Sequence, residues 1–270
     1  PESPMRRLAA LVLSTLSLAA PAAAQSVGCG NTAAGFDQWK GQFASVAQQN
    51  GVGQAGINAL MSARYNTGTI AADRNQKSFT YTLEKFMEIR GASVIVQRGR
   101  ALKAQNAQFY ASLERIYGVP AGVLLAIHGM ETAFGSFMGD TNLVSATATL
   151  AYDCRRPAFF TPHLIAALKL IDSGSITTST VGAKHGELGH TQFLPGNALN
   201  YGRDGNGDGR VDLYNLSDAM ASTAWYLRQK GWQPGAGYQE GQTNFPVLNE
   251  WNAATVYQRA IAIMAAQIDG

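Results

Sequence analysis

The sequence predicts a mostly α-helical protein, an α-rich α+β fold at most. Apolar residues recur at helical spacing through most of the chain, strand-like alternation is nearly absent, and Pro and Gly stand where helices should start and stop. Over 270 residues, 46% hydrophobic and 14% charged, no low-complexity or periodic tract occurs. That balance excludes a disordered polymer, a fibrous repeat and a multi-span membrane protein. The net charge of +3 is small, and no Lys/Arg run with interleaved aromatics offers a nucleic-acid surface.

From the start, Met5-Arg6-Arg7 precedes an apolar run over residues 8–20 and then Pro21-Ala22-Ala23-Ala24-Gln25. This is the pattern of a secretory signal cleaved after Ala24, with residues 1–4 ahead of a plausible initiator Met5. A membrane anchor is the rival reading, but spanning a bilayer takes about 20 apolar residues. Residues 1–24 are expected to be removed, leaving 25–270 as a single exported domain. Within it, Phe36, Trp39, Phe43 and Val46 give a helix over residues 36–50. Residues 79–117, with Leu83, Phe86, Met87, Ile89, Leu102, Phe109, Leu113 and Ile116, read as two or three amphipathic helices. Residues 93–97 could pair briefly as a strand. Tyr117-Gly118-Val119-Pro120 breaks the pattern, and Pro120 suits the first turn of a nearly all-apolar, hence buried, helix over 121–134. Another helix over 163–173 stops near Gly174, and residues 175–209 read as loops with short helical turns. Ser217 is the expected N-cap of a helix over 217–230, with Gly231 past its end. A last helix covers residues 253–268.

Export gives the two cysteines a meaning. Cys29 and Cys154 are an even pair in an oxidising compartment, so a disulfide closing a loop of 125 residues is expected. The rival is a lipidated Cys29. Ser26-Val27-Gly28 lacks the apolar residue such a site needs, which favours soluble secretion over a lipoprotein.

Three constellations carry chemistry. Glu131, in Gly129-Met130-Glu131-Thr132-Ala133-Phe134-Gly135, shares a helix face with Val123, Leu124 and Ile127. A lone carboxyl at the C-terminal end of a buried apolar helix is costly to ionise, the state a general acid needs. The alternative is a buried Glu satisfied by Arg or backbone partners. Gly186-Glu187-Leu188-Gly189-His190-Thr191-Gln192 offers close backbone approach and, in Gln192, a donor and an acceptor for a sugar substituent. Asp204, Asn206, Asp208, Arg210 (through its carbonyl) and Asp212 follow calcium-loop spacing, with Gly209 at position 6. Position 12 is Asn215 instead of the bidentate Glu, so a weakly held structural Ca²⁺ or Na⁺ is expected. His128 and Glu131 also form an H-x-x-E pair that a zinc amidase or carboxypeptidase could use with His163, His185 or His190. Trp225, Trp232 and Trp251 are stacking platforms or core residues.

Taken together, the segments 117–120, 129–135, 150–156, 186–195, 204–215 and 231–235, with Trp251-Asn252, resemble the lytic murein transglycosylases of the membrane-bound-B type (glycoside hydrolase family 103). The resemblance covers nearly all of residues 29–268. It implies a lysozyme-like catalytic domain with additional helices and a loop-rich EF-hand-like insertion, acting on peptidoglycan glycan strands in the periplasm as a monomer without a catalytic cofactor. Cell-wall synthesis or remodelling enzymes are the implied protein partners. Glu131 matches the single catalytic acid and base, which would cleave the MurNAc-GlcNAc bond to a 1,6-anhydro end. Gln192 and Asn252 match polar substrate positions, and Trp251 stands where some relatives carry Tyr. Phe134, Ser145 and Tyr201 are assigned to the substrate cleft, with Thr149 flanking it. A lysozyme-type hydrolase would need a second carboxylate, for which Asp140 and Asp153 are the nearby candidates. A glycan-binding scaffold without catalysis is the remaining alternative.

Overall fold

A computed structural model describes residues 28–75 and 81–270. The expected signal, residues 1–24, lies outside them. Helices α1 Phe36–Gln49, α2 Gln54–Ser62, α3 Thr67–Arg74, α4 Leu83–Ile89, α5 Ala92–Gln105 and α6 Ala107–Tyr117 lead to the central α7 Ala121–Thr132. A two-residue strand β1 Thr141–Asn142 precedes α8 Leu143–Tyr152 and α9 Pro157–Asp172, and pairs antiparallel with β2 Val181–Gly182. The chain ends through α10 Pro195–Tyr201, α11 Leu216–Gln229, the single turn α12 Leu248–Trp251 and α13 Thr255–Asp269. The mostly helical prediction holds. Among the described residues, no helix is long and apolar enough to cross a membrane.

Every residue of α7 except Glu131 is buried. It packs on α13 and α5, and Gly122 permits the approach: a Cβ there would meet Ala265 O at 2.3 Å. The α7 helix stops at Thr132, two residues before the predicted end, because Ala133 and Phe134 turn left-handed at φ 48° and 60°. The brief strand predicted over 93–97 is helical instead. Ala92, Ile95, Val96 and Gly99 are the buried face of α5, so packing overrides the β-branched preference of Val94-Ile95-Val96. The cap of α11 is Asn215, not Ser217: the Asn215 side chain accepts the Ser217 N–H at 2.9 Å. Helix α9 starts six residues earlier than predicted, with Pro157 in its first turn and Pro162 tolerated one turn later.

Cys29 and Cys154 are joined in a disulfide, and Gly30 N–H donates to Tyr152 O beside it. Nearby, Asp73 on α3 is bound by Arg155 and Arg156. Burial pushes its carboxyl up, but the two guanidiniums outweigh burial and hold it below the usual range.

Candidate active site

Glu131 stands in the last turn of α7, in the wall of a cavity of about 300 Å³ also lined by Glu187, Gln192, Asn197, Trp251 and Asn252. Its Oε1 accepts two hydrogen bonds, from the Tyr257 hydroxyl at 2.5 Å and from Trp251 Nε1–H at 3.1 Å. Tyr257 comes from α13 and Trp251 from α12, so two separate elements hold one oxygen. Both bonds fall on Oε1, and the residue itself lines the cavity. Burial raises the Glu131 carboxyl above its ordinary range; the two donors pull it back in part, and the Glu187 charge adds to the rise. Tyr257 is itself pushed well up by burial and by Glu131, so it remains a donor. The arrangement favours a neutral carboxyl that still has two donors waiting if it ionises.

The opposite wall is the 186–195 loop. Gln192 adopts a positive φ of 55°, an uncommon conformation for a side-chain-bearing residue and one that clusters at functional sites. Its Nε2 donates to Gly189 O at 2.8 Å, which leaves Oε1 for the cavity. This loop is fastened to α7 beneath the site. His190 Nε2 faces Tyr214 O at 3.1 Å, an atom that only accepts, so that nitrogen carries the proton. His190 Nδ1 must then accept from His128 Nε2–H at 3.0 Å, and Thr132 Oγ1 donates to His190 O at 2.7 Å. His128 Nδ1 is left buried and unpartnered. Burial therefore pushes His128 down to about 3, with the neighbouring His190 acting in the same direction. His128 Nε2, both His190 nitrogens and His163 Nδ1, which accepts Gly196 N–H at 3.1 Å, are engaged, and the described residues place no three His, Cys, Asp or Glu side chains around a common metal position.

Glu131, Gln192, Trp251 and Asn252 are thus brought together, whereas other expected residues are not. Phe134 lies edge-on to His128 with Arg98 over its ring. Ser145 is buried, its hydroxyl accepting Arg64 N–H at 3.1 Å, and Thr149 does the same for Asn66 at 2.9 Å. Tyr201 stands one ring back, 4.9 Å from Tyr226, which does line the cavity. Asp153 is buried in an ion pair with Arg74 at 2.8 Å, and Asp140 is exposed, so neither suggested second carboxyl lines the cavity. Glu187 does. Glu187 and Tyr257 escape sequence reading because an acid in a Gly-rich loop and a Tyr on an amphipathic helix are both ordinary. The flanking Gly186 and Gly189 were the available signal for Glu187.

In the 204–215 loop, Asp204 accepts the amides of Gly207 and Gly209 at 2.6 and 2.7 Å, which hold its carboxyl below the usual range. Buried Asp218 closes the loop from behind, accepting Gly205, Asn206 and Asp212 N–H groups. Two features oppose a full cation cage. Asn206 turns its amide NH₂ onto Asp208 at 3.0 Å, and Asn215 is spent on capping α11.

Residues 35–241 match the family model described as Transglycosylase SLT domain. A segment of 123 residues is 34% identical to membrane-bound lytic murein transglycosylase B of Escherichia coli (strain K12). That alignment covers 45% of this chain and spans about a third (34%) of the curated relative. The structure of SltB3 from Pseudomonas aeruginosa in complex with NAG-anhNAM-pentapeptide superposes with a TM-score of 0.80 at 28% identity, covering 87% of this chain and 80% of that one. Escherichia coli lytic transglycosylase SLT35 in complex with calcium shares the fold, with a TM-score of 0.75 at 22% identity over 90% and 96% of the two chains. Since the family model spans more than half of the sequence, from the start of α1 almost to α12, the chain belongs to the transglycosylase SLT domain family.

Proposed function

We propose that residues 25–270 form one periplasmic catalytic domain, a peptidoglycan lytic transglycosylase with Glu131 as its acid and then its base. The observation that carries this reading is the placement of Glu131, a carboxyl raised by burial, tied through Oε1 and lining the cavity. Its proton passes to the glycosidic oxygen between MurNAc and GlcNAc, and the bond to C1 breaks. The resulting carboxylate is stabilised where it stands by Tyr257 O–H and Trp251 N–H. It then takes the proton of the substrate's own C6 hydroxyl, whose oxygen closes on C1 to give the 1,6-anhydro end. No second carboxylate is required to activate water, which distinguishes this from the two-carboxyl hydrolysis of sugars. Gln192 and Asn252 hold substrate substituents, and Trp251 both orients Glu131 and walls the cavity. Mass spectrometry of muropeptides released from sacculi tests the reading. Wild type should yield anhydro ends, and Glu131→Gln should fold and lose at least about 10²-fold in rate. Reducing ends, or normal turnover by Glu131→Gln, would overturn it.

For the 204–215 loop, the spacing of Asp204, Asn206, Asp208, Arg210 and Asp212 supports a hard-cation site, Ca²⁺ or Na⁺. The Asn206–Asp208 contact and the missing bidentate residue make it a weak one, structural in role.

A further inference from the structure

The loop between β2 and α10 sets a second acid against the catalytic cavity. Glu187 lines it together with Glu131. The backbone there is fixed: Ala183 N–H donates to Glu187 O at 2.9 Å, and Leu188 and Phe193 exchange both of their backbone hydrogen bonds, at 2.9 and 3.0 Å. On the other side, Gly186 has φ 85°, and a Cβ in its place would come within 2.6 Å of Thr147 Cγ2. The Glu187 side chain is therefore delivered to the cavity by a rigid support. Its Oε2 is buried and has no hydrogen-bond partner, while His185 and Arg156 supply the positive charge that favours its ionised form.

We propose that Glu187 is a positioning residue acting through Glu131: as the second acid on one cavity, it makes Glu131 keep its proton further into the alkaline range than Glu131 would alone. This rests on the proposed role of Glu131. Two carboxyls that share a cavity lose their first proton as a pair, and the second must leave against the charge of the first. The groups facing Glu131 are the donors Tyr257 and Trp251, the cation Arg90 and the acid Glu187. Glu187 faces His185 and Arg156. Burial raises both carboxyls, and the Glu187 charge pushes Glu131 higher still. Asp140 and Asp153 do not line the cavity.

The test combines two readouts on wild type, Glu187→Gln and Glu187→Asp. One is the pH profile of kcat/KM on soluble, uncrosslinked glycan strands. The other is the ¹³C-carboxyl NMR titration of glutamate-labelled protein, with Glu131→Gln identifying the Glu131 signal. In Glu187→Gln the alkaline limb and the Glu131 titration should both move to lower pH by at least about half a unit, roughly a threefold loss of the protonated form on that limb. KM should stay unchanged, and Glu187→Asp should restore part of the shift. An unmoved Glu131 titration overturns the proposal, as does a raised KM with the alkaline limb in place, which would make Glu187 a substrate contact. If the titration shifts but no variant, nor wild type, releases anhydro ends, the coupling stands and the transglycosylase reading falls.

Discussion

Acid should loosen this protein through one side chain. His128 is 2% exposed and held near 3, against an unfolded value of 6.5. Its folded value is depressed, so its contribution to stability is fully present above 6.5 and is lost as the pH falls toward 3. In that window the unfolded chain binds a proton that the folded one refuses. Each pH unit then costs about 1.4 kcal/mol, so descending to pH 5 removes about 2 kcal/mol. Glu131 and Glu187 act in the opposite direction, which makes the raw pH dependence ambiguous. Urea unfolding of wild type and His128→Gln across pH 8 to 5 isolates the effect. The stability difference between the two should be flat above pH 6.5 and shrink by about 2 kcal/mol by pH 5. A difference that does not change with pH would refute the neutral, dead-ended His128–His190 pair.

Glu131→Gln should also change stability, and in a direction opposite to its effect on rate. The Glu131 carboxyl is raised by burial, so its stability contribution is present below the unfolded value of 4.5 and lost as pH rises through the folded one. Thermal melts should show the Gln variant gaining on wild type as pH increases, with no gain below about pH 4.5. Reducing the Cys29–Cys154 bridge releases a loop closed over 125 residues, worth at most about 4–5 kcal/mol, and denaturant midpoints with and without reductant should show it. Calcium titrated by calorimetry should bind no tighter than the weak extracellular class, about 10⁻⁴ to 10⁻³ M, with the heat abolished in Asp204→Ala.

The long amphipathic helices and α7, introduced by Pro120, were legible in the sequence, whereas the short α2 and α3 and the wholly buried α8 were not. The long 79–117 stretch resolved into α4, α5 and α6 because its apolar residues alternate with charged ones at helical spacing. By contrast, all ten residues of α8 are buried, so its run of Leu, Val, Ala, Ser and Thr has no polar side to mark a period. The α10 helix, seven residues long, is too short to repeat. Glu131 stood out because a lone acid in an apolar run has an energetic cost that demands a reason. Trp251 was singled out but not as a donor to Glu131, and Tyr257 not at all, since pairing them with Glu131 requires knowing that α12, α13 and the end of α7 converge. The second carboxyl was sought near Asp140 and Asp153 in sequence, whereas the loop fastening through His190 and Leu188 brings Glu187 to the site from more than 50 residues away.

The two walls of the cavity obey different constraints. On one side, Glu131 and Tyr257 belong to α7 and α13, whose separation is set by core contacts such as Gly122 against Ala265. A change of a few tenths of an ångström between those helices alters the 2.5 Å hydrogen bond on Glu131 Oε1, because close-packed cores transmit displacement instead of absorbing it. On the other side, Glu187 and Gln192 ride on a loop that is itself tied to α7 by His128, His190 and Thr132. Both walls are therefore referenced to one helix. Glu131 and the groups around it keep their relative positions even though they come from segments more than 50 residues apart, and the buried, uncharged His128–His190 contact is part of what makes that possible.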